Sequence, residues 1–191
     1  IAFNLREAVV EKKPSGNPEL KPGDVVTIFS VKDIPVSLNK RAQFVRVGGE
    51  VNKPGVYEIP LGFSMMKAIN ELGGGMRNGK KLKAVIPGGS SCPILKADEC
   101  DLAMDYDTVA AAKSMLGSGG VVVLDEDTCM VKFALRIMRF YAHESCGWCI
   151  PCREGTTWLK KLLTRFHEGQ GQRSDIVMIG DLSRNMLGRT F

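Results

Sequence analysis

Three cysteines stand within seven residues of one another, in the segment Glu144-Ser145-Cys146-Gly147-Trp148-Cys149-Ile150-Pro151-Cys152-Arg153. The spacing C-x₂-C-x₂-C places three thiols on one short loop, and the iron atoms of a [4Fe–4S] cluster take cysteine thiolates as ligands. Cysteines this close do not suit a usual disulfide framework and indicate reduced thiols in a cytosol-like compartment. The pattern therefore predicts that Cys146, Cys149 and Cys152 are ligands of an iron–sulfur cluster.

The residues beside the cysteines predict how such a loop holds a cluster. Gly147 lets the backbone bend close to inorganic sulfides, and we assign it to cofactor binding together with Ser145 and Arg153. Arg153 adds a positive charge, which should favour the reduced cluster. Electron transfer needs no acid–base residue at a cluster, so no catalytic residue is predicted.

A structural zinc site is an alternative, with His143 and the three cysteines as a Cys₃His set. Zinc sites usually pair their cysteines in separated knuckles, however, and His143 stands only three residues before Cys146. Free thiols or a redox pair are a further alternative. The remaining cysteines have no clear claim as a fourth ligand. Cys129 is interpreted as a core residue, and Cys92 and Cys100 are interpreted as buried or partly exposed free thiols.

The composition is that of an ordinary globular protein. The 191 residues are 44% hydrophobic and 25% charged, and the net charge of +5 is spread along the chain. No basic run is interleaved with aromatic residues, so no nucleic-acid partner is expected. No apolar stretch reaches about 18 residues, so no direct membrane insertion is expected. The chain begins at Ile1 rather than Met, and we expect it to be a fragment.

The elements around the cysteines predict an α+β chain, with a small β-grasp-like module followed by a C-terminal helical bundle. The domain boundaries are predicted as 1–43 (N-terminal segment with a linker and a strand), 44–125 (β-grasp module) and 126–191 (helical bundle). Within them we predict a hairpin turning at Asn52–Gly55, a helix capped by Ser64, an irregular region over 89–113, a helix capped by Asp127 or Thr128, a helix capped near Thr156, and a helix capped by Ser174.

The cysteine segment ESCGWCIPCREG resembles the NADH-binding flavoprotein subunit of respiratory complex I. The resemblance runs from about Val47 to Phe191 and includes GGEVNKPGVYEIPLG, AVIPGGSS and SMLGSGGVVV. It implies a soluble-ligand-binding β-grasp module, then a helical bundle whose [4Fe–4S] cluster takes electrons from a flavin. It also implies a fourth cysteine ligand directly after a stretch like Gly188–Phe191, absent from this sequence.

The resemblance further implies that FMN and NAD are bound only by the intact parent subunit, since no phosphate-cradling GxGxxG occurs here. This chain alone is therefore not expected to oxidise NADH. Expected partners are other subunits of a respiratory NADH dehydrogenase, on the cytoplasmic side of the inner membrane or the mitochondrial matrix side.

About the first 45 residues look more like polysaccharide-export proteins, which also carry soluble-ligand-binding β-grasp modules. A saccharide- or partner-binding module and a zinc-stabilised domain therefore stand as the two alternatives to electron transfer.

Overall fold

The computed structural model describes residues 42–190. The strand predicted over Asp24–Ser30, like the linker before it, falls outside the described residues. The described part is mixed α and β, so the predicted α+β class is confirmed.

One mixed sheet forms the first half of the described chain. Its strands are β1 (Ala42–Gly49), β2 (Gly55–Pro60), β3 (Leu82–Ile86), β4 (Leu95–Lys96) and β5 (Gly120–Asp125), in the order β2-β1-β5-β3-β4. The central pair β1 and β5 is parallel, and every other pair is antiparallel. A parallel pair needs a long crossover, and here the crossover contains β2 to β4 and the first two helices.

The predicted hairpin is confirmed as the β1–β2 pair, with Val47 opposite Gly55. Asn52 holds its turn, because its amide nitrogen donates to the carbonyl oxygens of Gly74 at 2.8 Å and Met76 at 3.2 Å. The Tyr57 hydroxyl donates to the carbonyl oxygen of Lys53 at 2.7 Å. The two Asn52 bonds thus join the hairpin turn to the segment just after the following helix, and the Tyr57 bond closes the hairpin itself.

That helix begins where Ser64 predicted it. α1 (Met65–Lys67) continues as a π-helical turn over Ala68–Leu72, and the Ser64 hydroxyl accepts the Lys67 N–H at 3.3 Å. Met65, Ala68 and Ile69 are buried in the main core. The predicted helix and its capping residue are therefore confirmed.

The region 89–113 is more ordered than predicted, since it contains β4 and α2 (Tyr106–Ala111). Asp105 caps α2, its Oδ1 accepting the Thr108 N–H at 2.7 Å. Both elements are short and show too few periodic residues to be recognised. The capping carboxylate was the available signal.

The main core lies on one face of the sheet. Its buried residues are Val45, Val47, Val51, Ile59, Met65, Ala68, Ile69, Val85, Leu95, Cys100, Met104, Val109, Leu116, Val121 and Val123. Alternate residues of β3 and β5, such as Ala84, Ile86 and Leu124, point to the opposite face and are buried as well. The centre of the sheet is therefore covered on both sides.

Three helices make up the second half: α3 (Met130–Glu144), α4 (Ile150–His167) and α5 (Arg173–Met186). The predicted helical bundle is confirmed, but its predicted starts are wrong. The N-cap of α3 is Cys129. The Thr128 hydroxyl does not cap the helix, because it donates to Asp125 Oδ1 at 2.7 Å. α5 has Gln172 as its capping residue, and the Gln172 N–H donates to Asp175 at 2.9 Å.

Polar contacts connect the sheet to α3. Lys80 Nζ lies 2.8 Å from Asp125 Oδ2 and 3.0 Å from Asp127 Oδ2. Lys83 Nζ donates to the Thr128 carbonyl oxygen at 2.7 Å. These bonds fix the segment that leads from β5 into α3. Among the described residues, no helix combines the length and apolar character needed to cross a membrane.

Candidate metal centre

The cysteine segment joins the end of α3 to the start of α4. Ser145 closes α3, with its N–H donating to the Tyr141 carbonyl oxygen at 3.0 Å. Cys149 is the N-cap of α4, so Cys152 lies in the first turn of that helix rather than in a loop.

The prediction that α4 starts near Thr156 is therefore wrong by about two turns. Pro151 explains the early start. The first turn of a helix leaves its N–H groups without intrahelical partners, so the missing N–H of proline costs nothing there. The signal for the early start of α4 was therefore Pro151 itself, in the second position of the helix.

Gly147 forms the bend between the first two cysteines. Its φ of 78° lies in the left-handed region that favours glycine. Arg153 closes this bend from α4, because its Nη1 donates to the Gly147 carbonyl oxygen at 3.0 Å. Arg153 Nε also pairs with Glu154 at 2.9 Å. The guanidinium thus braces the backbone of the loop, a role the sequence prediction did not contain.

Ser145 and Thr156 hold Cys152 from two sides. Ser145 Oγ lies 3.4 Å from Cys152 Sγ and accepts the Gly147 N–H at 3.3 Å. Buried Thr156 donates its hydroxyl to the Cys152 carbonyl oxygen at 2.7 Å. Sequence reasoning placed Thr156 near a helix start and missed this contact with Cys152. The spacing of Thr156, four residues after Cys152 on one face of a helix, was the only signal.

The three thiols lie close to solvent. Cys146 is exposed, and Cys149 and Cys152 are half-buried. Trp148, between the first two, has 80% of its surface exposed. Two of the three cysteines occupy the N-terminal end of α4, where the helix dipole favours negative charge.

The chemistry of this donor set fits an iron–sulfur cluster. It offers three thiols on one short segment, and cubane irons take thiolate ligands. Within residues 42–190, no three His, Cys, Asp or Glu side chains are gathered closely enough to hold a single metal ion. A cubane takes each thiolate on a different iron, so its cysteine ligands need not converge on one metal ion.

His143 is not directed at the cysteines. Its Nδ1 lies 3.0 Å from Glu144 Oε1, and its ring is largely exposed. The zinc alternative thus gains no support from the described residues, and it stays a prediction.

The other cysteines differ in their surroundings. Cys92 and Cys100 are buried in the sheet half. Burial, with the carboxylates of Glu99 and Asp98, raises the pKa of the Cys100 thiol to about 11. Cys129 is exposed before α3, which contradicts its interpretation as a core residue. There the backbone N–H of Lys132 lowers the pKa of the Cys129 thiol.

Two protein-family models match the chain. Residues 43–124 match the SLBB domain, and residues 132–191 match the NADH-ubiquinone oxidoreductase-F iron-sulfur binding region. The second match contains the whole cysteine segment.

Three curated relatives extend the similarity, and each is an F subunit of NADH-quinone oxidoreductase. The protein from Rhizobium meliloti is 49% identical over 145 residues, which are 76% of this chain and 34% of that protein. The one from Streptomyces coelicolor is 40% identical, over 89% of this chain and 41% of that protein. The one from Rickettsia felis is 37% identical, over 97% of this chain and 50% of that protein. The chain thus spans about a third to a half of these relatives.

A solved structure shares the fold. A chain of NAD⁺-reducing [NiFe]-hydrogenase in the H₂-reduced state superposes with a TM-score of 0.62 at 27% identity, covering 74% of this chain and 23% of that chain. Residues 43–124 are therefore an SLBB domain, residues 132–191 are an iron–sulfur binding region, and the chain is homologous to part of the F subunit of NADH-quinone oxidoreductase.

Proposed function

We propose that this chain is the electron-transfer portion of an NADH dehydrogenase flavoprotein subunit, and that Cys146, Cys149 and Cys152 ligate its [4Fe–4S] cluster. The observation that carries the proposal is the braced cysteine segment between α3 and α4, which lies inside the iron–sulfur binding region. When bound, the cluster would supply a one-electron acceptor.

The residues around the thiols have separate roles in this proposal. Gly147 gives the loop its bend, and Arg153 holds that bend through the Gly147 carbonyl oxygen. Ser145 and Thr156 keep Cys152 in place at the start of α4. The segment is thus organised before any cluster binds, which reduces the ordering cost of ligation.

The proposal extends to the parent protein. FMN and NAD would be bound by parts of the parent outside this chain, so the chain alone would not oxidise NADH. Its partners would be other subunits of a respiratory NADH dehydrogenase, in a peripheral arm on the cytoplasmic or matrix side. We place the boundary between the β-grasp module and the cluster-binding bundle at about residues 125–126.

The test is anaerobic reconstitution of the 191-residue chain with iron, sulfide and an external thiol, followed by visible absorption and EPR after reduction. We expect thiolate-to-iron absorption and a reduced-cluster EPR signal in the wild type. Cys149→Ser should lose both. Cys129→Ser is the matched control, because it removes an exposed cysteine outside the segment, and it should keep both.

Two outcomes would refute the proposal. One is a wild-type chain that stays colourless, or that binds stoichiometric zinc in preference to iron. The other is a Cys149→Ser chain that retains as much cluster as Cys129→Ser. The saccharide-binding alternative for the SLBB domain stays a prediction, and glycan-binding assays on the whole chain address it separately.

A further inference from the structure

We propose that the Ser145 hydroxyl donates a hydrogen bond to the Cys152 thiolate in the cluster-bound chain and thereby raises the reduction potential of the cluster. This inference rests on the proposed function. It goes beyond which residues bind the cluster and concerns how one side chain changes the reduction potential of the cluster.

The geometry singles out one sulfur. Ser145 Oγ lies 3.4 Å from Cys152 Sγ, within hydrogen-bonding distance for sulfur. Within residues 42–190, no other side chain is hydrogen-bonded to a sulfur of Cys146, Cys149 or Cys152. The hydroxyl is held in place from the other side, because it accepts the Gly147 N–H at 3.3 Å.

The direction of this bond must reverse when the cysteine becomes a ligand. In the thiol form, Cys152 carries the proton and Ser145 Oγ accepts it. A metal-bound cysteine is a thiolate and has no proton to donate. The contact then persists only with the serine O–H turned toward sulfur, while Oγ still accepts from Gly147. A hydroxyl suits both states because it donates and accepts.

Neighbouring polar groups are already engaged elsewhere. The Thr156 hydroxyl donates to the Cys152 carbonyl oxygen, not to its sulfur. Arg153 donates to the Gly147 carbonyl oxygen and to Glu154. Ser145 is therefore the polar side chain best placed to act on a ligand sulfur.

The effect on potential follows from charge. Reduction adds an electron to the cluster and makes its sulfur ligands more negative. A hydrogen bond to a more negative acceptor is stronger, so the donor stabilises the reduced state more than the oxidised one. Hydrogen bonds to cluster sulfurs are one of the known determinants of cluster potential.

The experiment compares midpoint potentials, read by EPR, in reconstituted wild type, Ser145→Ala and Ser145→Thr. Ser145→Ala should bind as much iron as the wild type and show a more negative midpoint potential. Ser145→Thr keeps the hydroxyl and should stay near the wild-type value. Thr157→Ala is the control, because it removes a nearby hydroxyl that donates only to the Arg153 carbonyl oxygen, at 3.1 Å, and it should leave the potential unchanged.

A second measurement detects the bond directly. After exchange into D₂O, pulsed EPR of the reduced wild type should show a deuteron coupling that Ser145→Ala lacks. Equal potentials in Ser145→Ala and wild type would overturn the inference. So would a Ser145→Ala chain that takes up no cluster while the wild type does, because the hydroxyl would then serve assembly. A wild type that binds no cluster would instead refute the proposed function itself.

Discussion

In the SLBB domain, side chains such as Val47, Met65 and Val109 are fully enclosed in one continuous core. In the helical region, Ile176 and Val177 on α5 stay more than half exposed, and the buried apolar residues of α3 and α4 are Leu135, Leu159 and Leu162. The SLBB domain thus contributes most of the buried apolar area, whereas the three thiols sit on the less enclosed half. Functional segments are commonly drawn from regions of low local stability.

The largest effect is expected from a substitution that tests how tightly the strands of the SLBB domain pack together. Gly49 has a φ of 90°, and an added Cβ would collide with the backbone carbonyl oxygen of Val123 on the neighbouring strand. Gly49→Ala should therefore lower the free energy of unfolding by more than about 4 kcal/mol, measured by urea denaturation.

Gly75→Ala is the matched control for Gly49→Ala. Gly75 also has a positive φ, of 76°, but an added Cβ would meet no atom within 4 Å. It should cost only the backbone strain, about 1–2 kcal/mol. If the two variants lose the same free energy of unfolding, the close approach of Gly49 to β5 adds nothing to the effect of Gly49→Ala.

The next effect compares one residue type in both halves. Ile69 is 1% exposed and Ile176 is 60% exposed. Ile69→Ala should cost about 2–5 kcal/mol through lost burial and a cavity, whereas Ile176→Ala should change stability by no more than about 0.5 kcal/mol. Equal urea midpoints for the two variants would contradict the division between an enclosed and an open half.

A smaller effect is expected in the cysteine segment. At Gly147 an added Cβ meets only Arg153 Cδ, at 3.9 Å, so Gly147→Ala strains the backbone by about 1–2 kcal/mol without a clash. Iron retention by the reconstituted chain should fall while the SLBB domain stays folded by circular dichroism. Full iron retention would show that the bend does not need glycine.

The smallest expected effect is a pH dependence at the junction of the two halves. The Lys80 ammonium and the Thr128 hydroxyl lower the pKa of Asp125 from its ordinary 3.8 to about 2. Because the folded-state pKa lies below the unfolded one, Asp125 stabilises the fold above about pH 4, and this contribution disappears as the pH falls toward 2.

The stability difference between wild type and Asp125→Asn should accordingly shrink from pH 5 to pH 2 in denaturant titrations. The exposed Asp101→Asn variant is the control, because it removes a carboxylate outside the contacts of Asp125. If the stability difference between wild type and Asp125→Asn stays constant over this pH range, the ion pair with Lys80 does not contribute to the stability of the fold.

Much of this protein was readable from its sequence. The turn at Asn52–Gly55 and the Ser64 cap were recognised because proline, glycine and capping hydroxyls act within a few residues of their own position. The three cysteines were recognised for the same reason, since their spacing is itself the chemical signal. The short elements β4 and α2 were missed, because tertiary packing rather than local periodicity sustains them.

Only the folded structure showed which groups the cysteine segment uses to hold itself. Pro151 signals the early start of α4, but the sequence did not show that Thr156 donates to the Cys152 carbonyl oxygen or that Arg153 donates to the Gly147 carbonyl oxygen. On α5, packing leaves Ile176 and Val177 exposed and half-buries Ile179, Leu182 and Met186. Local chemistry thus predicts which residues could act, while packing, which no single segment encodes, determines which side chains are enclosed.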